Sequence, residues 1–161
     1  GALESPRTAR LLAQGTAVLA VDCVPFEETT YLLGTSPTAY NVSRVIESLD
    51  ALEQVGDLDL QRIACIGEVD DVALLAAVLD RRIGSVTVAA VAGSPVPGQS
   101  YRSSGVVPGL GAVTPRSQLL AMLAPRSLRV ETNESDRELI QAVYRLLGAA
   151  ERVEFLGKPA S

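Results

Sequence analysis

Apolar residues along the chain form short continuous runs, and these runs alternate with segments of helical spacing. Continuous apolar runs of this length are typical of strands that are covered on both faces of a sheet. Strands that alternate with helices predict a parallel sheet with right-handed crossovers. The pattern therefore predicts an α/β fold with a five-stranded, mainly parallel sheet and flanking helices in two or three layers. The predicted strands are residues 16–23, 62–67, 85–93, 127–132 and 152–157.

Helix-start signals precede most of the segments between these strands. A serine or threonine stands before Pro6, Pro37 and Pro115. Such a hydroxyl side chain caps the first turn of a helix, and proline suits the first helical position. Ser135 and Glu138 match a capping box, which predicts the start of the last helix.

Two further segments define the organisation of the chain. Residues 70–80 are apolar nearly all round and predict a deeply packed helix. Residues 94–113 are rich in glycine and proline and predict a long loop. A length of 161 residues predicts a single domain over 1–161.

Charge and hydropathy argue against two classes of partner. The net charge is −5, and no basic run is longer than two residues, so we expect no nucleic-acid partner. No run approaches the roughly 18 apolar residues that cross a bilayer, so we expect no membrane partner.

The titratable residues limit the kinds of catalysis and metal binding that the sequence predicts. The chain contains no histidine, which removes the usual general base, the usual transition-metal ligand and the usual pH switch. Cys23 and Cys65 fall in or beside predicted strands and are expected to be small buried hydrophobic residues. Two cysteines permit a disulfide without implying one. We expect no cofactor and no metal.

Four segments resemble one family of hydrolases. They are "LLAQGTAVLAVD" (11–22), "RIACIGE" (62–68), "LLAMLAPRSLRVETNESD" (119–136) and "RVEFLG" (152–157). They are similar to segments of α/β-hydrolases of the dienelactone hydrolase and acetyl xylan esterase type. The similarity extends over most of the chain and implies a partial α/β-hydrolase core.

The family's catalytic positions are altered in this sequence. The family's nucleophile turn reads G-x-S-x-G, and its serine falls on Val69 and its second glycine on Asp71. The family's acid falls on Asp136, and "GKPAS" offers no counterpart of its histidine. The family also has a strand with the oxyanion loop between those matching 16–23 and 62–67, and this sequence begins after it. The resemblance thus implies a degenerate, N-terminally truncated member without catalytic residues.

The residues at the altered positions suit structural roles. A β-branched valine disfavours the positive φ of a strained turn, so Val69 indicates a relaxed turn. Asp70 and Asp71 are expected to cap the following helix and to meet its positive dipole end. Asp136 is expected to act likewise, as a first-turn carboxylate behind Ser135.

Acidic residues gather where the predicted strands end. Glu68, Asp70, Asp71 and Glu134 are the candidate binding residues, because open α/β sheets bind ligands at the carboxyl ends of their strands. Together with Asp136 they leave open a site for Ca²⁺ or Mg²⁺, although solvated acidic loop ends are the commoner case.

The expected layering predicts a partner. Right-handed crossovers place the helices on one face of a sequentially ordered sheet. The predicted strands carry apolar residues on both faces of the sheet. The face that these helices leave uncovered therefore predicts a homodimer or docking onto the rest of a longer parent protein.

We interpret the chain as a non-catalytic α/β-hydrolase-like domain used for assembly or binding. Three alternatives stay open. The first is a weak carboxylic-ester hydrolase with Ser94, Ser103 or Cys23 as its nucleophile. The others are an excised part of such an enzyme and a flavodoxin-like binder of a small ligand.

Overall fold

The computed structural model describes residues 4–23, 32, 34–67, 71–88 and 110–157. The helices described are α1 (Pro6–Ala13), α2 (Pro37–Leu52), α3 (Val72–Leu79), α4 (Leu110–Val113), α5 (Arg116–Ala121) and α6 (Glu134–Leu146). Two 3₁₀ turns, Leu60–Arg62 and Ala150–Arg152, lead into strands. The strands are β1 (Ile63–Gly67), β2 (Ile83–Val88), β3 (Ser127–Val130) and β4 (Val153–Phe155). None of the helices described is long and apolar enough to cross a membrane.

The four strands form one parallel sheet in the order β1-β2-β3-β4. This arrangement confirms the predicted α/β class and the parallel pairing. The predicted count of five strands is wrong for the described part of the chain, because residues 16–23 form no strand. The end of the predicted strand 85–93 and most of the predicted loop 94–113 lie outside the described residues, and α4 occupies the last part of that loop.

Residues 16–23 are apolar in composition but are not part of the sheet. Leu19 is 53% exposed. No backbone hydrogen bond joins the outer edge of β1 to another described segment. A strand needs a neighbour for its N–H and C=O groups, and no described segment pairs with residues 16–23.

The helices α2, α3, α5 and α6 cover one face of the sheet. They pack in a row, α2 against α3, α3 against α5 and α5 against α6. α3, α5 and α6 connect sequential parallel strands, and right-handed crossovers place such helices on the same face. The strand side chains on this face form the core with the apolar sides of the helices. Its fully buried members include Leu74, Ile83, Val86, Val88, Leu120, Leu123, Leu128, Val130, Ile140 and Tyr144.

The opposite face of the sheet is apolar at β1 and charged at β3 and β4. On β1 it carries Ala64 and Ile66, both exposed. On β3 and β4 it carries Arg129 and Glu154, joined by hydrogen bonds of 2.8 and 3.1 Å between guanidinium and carboxylate. The expectation that the strands are apolar on both faces is therefore wrong for β3 and β4, since their outer side chains form an exposed ion pair.

Arg126 links neighbouring elements at the amino edge of the sheet, where the strands begin. Its Nη1 donates to the carbonyl oxygens of Ala77 and Ile83 at 2.7 and 2.9 Å and to that of Asp80 at 3.3 Å. These carbonyls belong to the end of α3 and the start of β2, so one cation satisfies acceptors that a helix end leaves free. Burial lowers the pKa of Arg126.

Two further groups complete the amino edge. The hydroxyl of Tyr144, a residue with no exposed surface, donates to the Arg126 carbonyl at 2.8 Å. Burial raises the pKa of Tyr144 to about 12. Arg82 pairs with the carboxylates of Asp50, Glu53 and Asp80 at 2.6–2.7 Å. The hydrogen bonds that Arg82 donates to Asp80 lower the pKa of Asp80.

Candidate functional site

The carboxyl edge of the sheet, where the strands end, brings together the starts of three helices. β1 ends just before α3, β2 leads toward α5, and β3 ends just before α6. Ligands of open α/β sheets bind outside this edge. The described part of the edge therefore defines the region in which to look for a site.

Asp71 lies at the N-cap position of α3, but its side chain makes no capping hydrogen bond. Its Oδ1 instead accepts from Nε of Arg116 at 2.8 Å. The sequence prediction that this carboxylate caps α3 is wrong, because a guanidinium from a segment 45 residues away competes for it. The hydrogen bond between Asp71 and Arg116 has an ionised group on both sides, whereas a capping bond to a backbone N–H has one on the carboxylate side only.

Arg116 is the unexpected residue of this edge. Its side chain is only 9% exposed. Nη1 and Nη2 are buried, and within the described part of the chain neither has an acceptor. Buried donors without acceptors are rare in proteins and cost about 1–3 kcal/mol each. The sequence carries one signal for this residue, a cation in the first turn of a helix, where the dipole disfavours positive charge.

Asp136, the position of the resembled family's acid, lies in the first turn of α6. Its backbone N–H donates to Oδ1 of Asn133, the N-cap residue, at 2.8 Å. Its Oδ2 accepts from Oγ1 of Thr132 and from Nδ2 of Asn133, both at 3.2 Å. The cap is therefore Asn133 and not Ser135 as the capping-box pattern suggested, since Asn is at least as good an N-cap as Ser. The Asp136 carboxylate is held inside its own turn.

Arg137 follows Asp136 and lies against the end of β4. Its guanidinium stands 5.0 Å from the centre of the Phe155 ring, and its Nη2 donates to the Gly157 carbonyl at 3.0 Å. Its Nε is buried without an acceptor. Together with the two Nη atoms of Arg116, it completes the set of buried, unpartnered side-chain nitrogen and oxygen atoms among the described residues. All three atoms lie at the carboxyl edge.

The remaining predicted site residues divide into two groups. Glu134 begins α6, beside Asp136 in the first turn. Glu68, Val69 and Asp70 lie outside the described residues, as do the alternative nucleophiles Ser94 and Ser103. Among the residues that the structure does describe, no group of three or more His, Cys, Asp or Glu side chains could hold a metal ion.

The cysteines and a small pocket beside α6 add few groups that could take part in a reaction. Neither Cys23 nor Cys65 forms a disulfide. Cys23 is exposed, so the expectation that both cysteines are buried is wrong for this residue. Burial raises the pKa of Cys65, which lowers its thiolate fraction at neutral pH. The pocket, of about 140 Å³, lies on the flank of α6 and β4 and is lined by Gln141, Arg145, Ala150, Val153 and Phe155.

Comparison with known proteins gives structural neighbours only. No family model matches the chain, and no curated protein matches it. BF1801 of Bacteroides fragilis NCTC 9343, a protein assigned as an acetyl xylan esterase, is similar with a TM-score of 0.65 and 17% identity over 79% of this chain. The methylesterase BT1017 is similar with a TM-score of 0.52 and 17% identity, again over 79% of this chain.

These neighbours support the fold that the sequence resemblance implied. The chain has an α/β-hydrolase-like fold of the kind found in these esterases. It spans 38% of the length of the first and 32% of the length of the second. At this level of identity, the likeness concerns the fold and not the activity.

Proposed function

We propose that this chain is a non-catalytic α/β-hydrolase-like domain that serves binding or assembly. The observation that carries the proposal is the set of hydrogen bonds that the Asp136 carboxylate accepts. This carboxylate accepts from Thr132 and Asn133 within its own turn, and the chain has no histidine for it to orient. The acid and base of a hydrolase triad work only as a connected pair.

The charges at the head of α3 support the same proposal. Acyl transfer requires hydrogen-bond donors aimed at the oxyanion that forms in the transition state. In this chain the carboxylate of Asp71 stands at the first turn of the helix that follows β1. A fixed negative charge there opposes an oxyanion, whereas its pairing with Arg116 suits a site that recognises charge.

Assembly is supported by the exposed side of β1. Its outer edge pairs with no other described strand, and Ala64 and Ile66 expose apolar surface beside it. An unpaired apolar edge favours association. The partner is a second copy of the chain or the rest of a larger protein, and light scattering after gel filtration distinguishes a dimer from a monomer.

The test of the non-catalytic role is hydrolysis of an activated acetyl ester such as p-nitrophenyl acetate. We expect the purified protein, Val69→Ser and Asp136→Ala all to give no turnover above a heat-denatured control. Saturable turnover by the unaltered protein, lost on one specific substitution, would overturn the proposal. That result would favour the alternative of a carboxylic-ester hydrolase.

A further inference from the structure

We propose that the carboxyl edge holds a carboxylate-binding site with Arg116 as its anchor. The inference rests on the proposed binding function and gives it a ligand class. Two observations carry it together: the Arg116 side chain is nine-tenths buried with two unpartnered nitrogens, and it lies beside the start of α3.

The geometry of the guanidinium selects a planar acceptor with two oxygens. Nε of Arg116 is already bonded to Asp71, so the free donors are those of Nη1 and Nη2. These two nitrogens share the end of the planar group and direct parallel N–H bonds outward. A carboxylate accepts both bonds at once, which makes the pair directional as well as strong.

The charges nearby favour a monoanion. Asp71 already neutralises Arg116 in part, so the pair has little net positive charge to offset a second negative charge, and removing a dianion from water costs more than removing a monoanion. The start of α3 adds a weak positive potential, since the N-cap side chain of Asp71 is used by Arg116 and not by the helix. A ligand carboxylate therefore suits the site better than a phosphate group.

A purely structural arginine has a different environment in this protein. Nη1 of Arg126 has three carbonyl acceptors, whereas neither Nη of Arg116 has any among the described residues. Donors that stay unsatisfied lower the stability of the unliganded protein. A bound carboxylate would remove this cost.

The experiment titrates sodium acetate into the purified full chain, with sodium chloride at equal ionic strength as the reference. The readout is the ¹H–¹⁵N spectrum of the arginine Nε–H groups, together with the thermal unfolding midpoint. We expect a saturable shift of one arginine resonance and a rise of the midpoint. Both effects should weaken about tenfold in Arg116→Gln and stay unchanged in Arg129→Gln, a control whose cation lies on the exposed face of the sheet.

A second variant keeps the test decisive if Arg116→Gln does not fold. Asp71→Asn removes the repelling neighbour and leaves the guanidinium in place, so acetate should bind roughly three- to tenfold more tightly. An unchanged or weaker affinity in Asp71→Asn overturns the proposal. So does an acetate shift that survives in a folded Arg116→Gln, or phosphate that binds more tightly than acetate.

Ester turnover is measured on the same samples, so that the two proposals fail separately. Absence of both turnover and acetate binding overturns the carboxylate site and leaves the non-catalytic role standing. Turnover with a specific nucleophile overturns the non-catalytic role, whatever acetate does.

Discussion

One arginine lies at each edge of the sheet, and the two differ in the hydrogen-bond acceptors around them. At the amino edge, one nitrogen of Arg126 serves three carbonyl oxygens at the end of α3 and the start of β2. At the carboxyl edge, Arg116 leaves two buried nitrogens without acceptors in the described structure. Both residues are arginines that are at least partly buried, and they differ in the acceptors that surround each guanidinium.

This difference indicates that the amino edge stabilises the fold and that the carboxyl edge has a role other than stability. Satisfied polar networks hold neighbouring elements in one arrangement. Unsatisfied buried donors lower stability and persist at sites where they serve something else. The amino edge therefore holds α3, β2 and β3 together, and the carboxyl edge provides groups for a ligand.

The largest effect is expected at the amino edge from Arg126→Met. The substitution removes the donor of the Ala77, Asp80 and Ile83 carbonyls, and we expect the free energy of unfolding to fall by about 2–4 kcal/mol. Urea unfolding followed by circular dichroism measures it. Arg62→Met is the matched control, because that side chain is 85% exposed. A loss no larger than the control's would contradict the role given to Arg126.

Tyr144→Phe should have a smaller effect with a distinctive pH dependence. The variant leaves the Arg126 carbonyl without its hydroxyl donor, so we expect a loss of about 1–2 kcal/mol at neutral pH. The native pKa of Tyr144 is about 12 and the unfolded value about 10. The native protein binds the proton more tightly, so its stability should fall as pH rises between these values. Unfolding curves from pH 9 upward should show this decline in the unaltered protein and less of it in Tyr144→Phe.

Asp80→Asn is expected to cost less, because Arg82 keeps its pairs with Asp50 and Glu53. Hydrogen bonds from Arg82 lower the native pKa of Asp80, so its contribution is present above the unfolded pKa of about 4 and is lost as pH falls through the lower native value. The stability gap between the protein and the variant should thus be full at pH 7 and close in strong acid. A gap that is the same at both pH values would rule out this coupling.

The smallest effect is expected from Arg129→Gln on the open face of the sheet. Its partner Glu154 is 58% exposed and Arg129 itself 48% exposed, and exposed ion pairs contribute little to stability. We expect a change within the error of urea unfolding, and less still at high salt. A clear loss of stability would mean that this face is shielded from solvent by contacts in solution.

The sequence anticipated the features that depend on neighbours along the chain. The apolar runs at β1 to β4 identified the parallel sheet, and the Ser-Pro signals identified the starts of α1 and α2, where Ser5 and Ser36 cap the first turn. It failed at residues 16–23, because a strand depends on a partner that composition does not reveal. It also missed the Asp71–Arg116 pair, which joins residues 45 positions apart through the packing of α3 and α5.

The most direct test of the contrast between the edges is the free energy of unfolding of Arg116→Met beside that of Arg126→Met. Both variants replace a buried guanidinium by an apolar side chain of similar length. We expect Arg116→Met to lose clearly less stability than Arg126→Met, because it removes two unsatisfied donors along with a single hydrogen bond to Asp71, whose 29% exposed side chain is then solvated by water, while Arg126→Met loses about 2–4 kcal/mol. Equal losses in the two variants would contradict the account, since Arg116 would then stabilise the fold as Arg126 does.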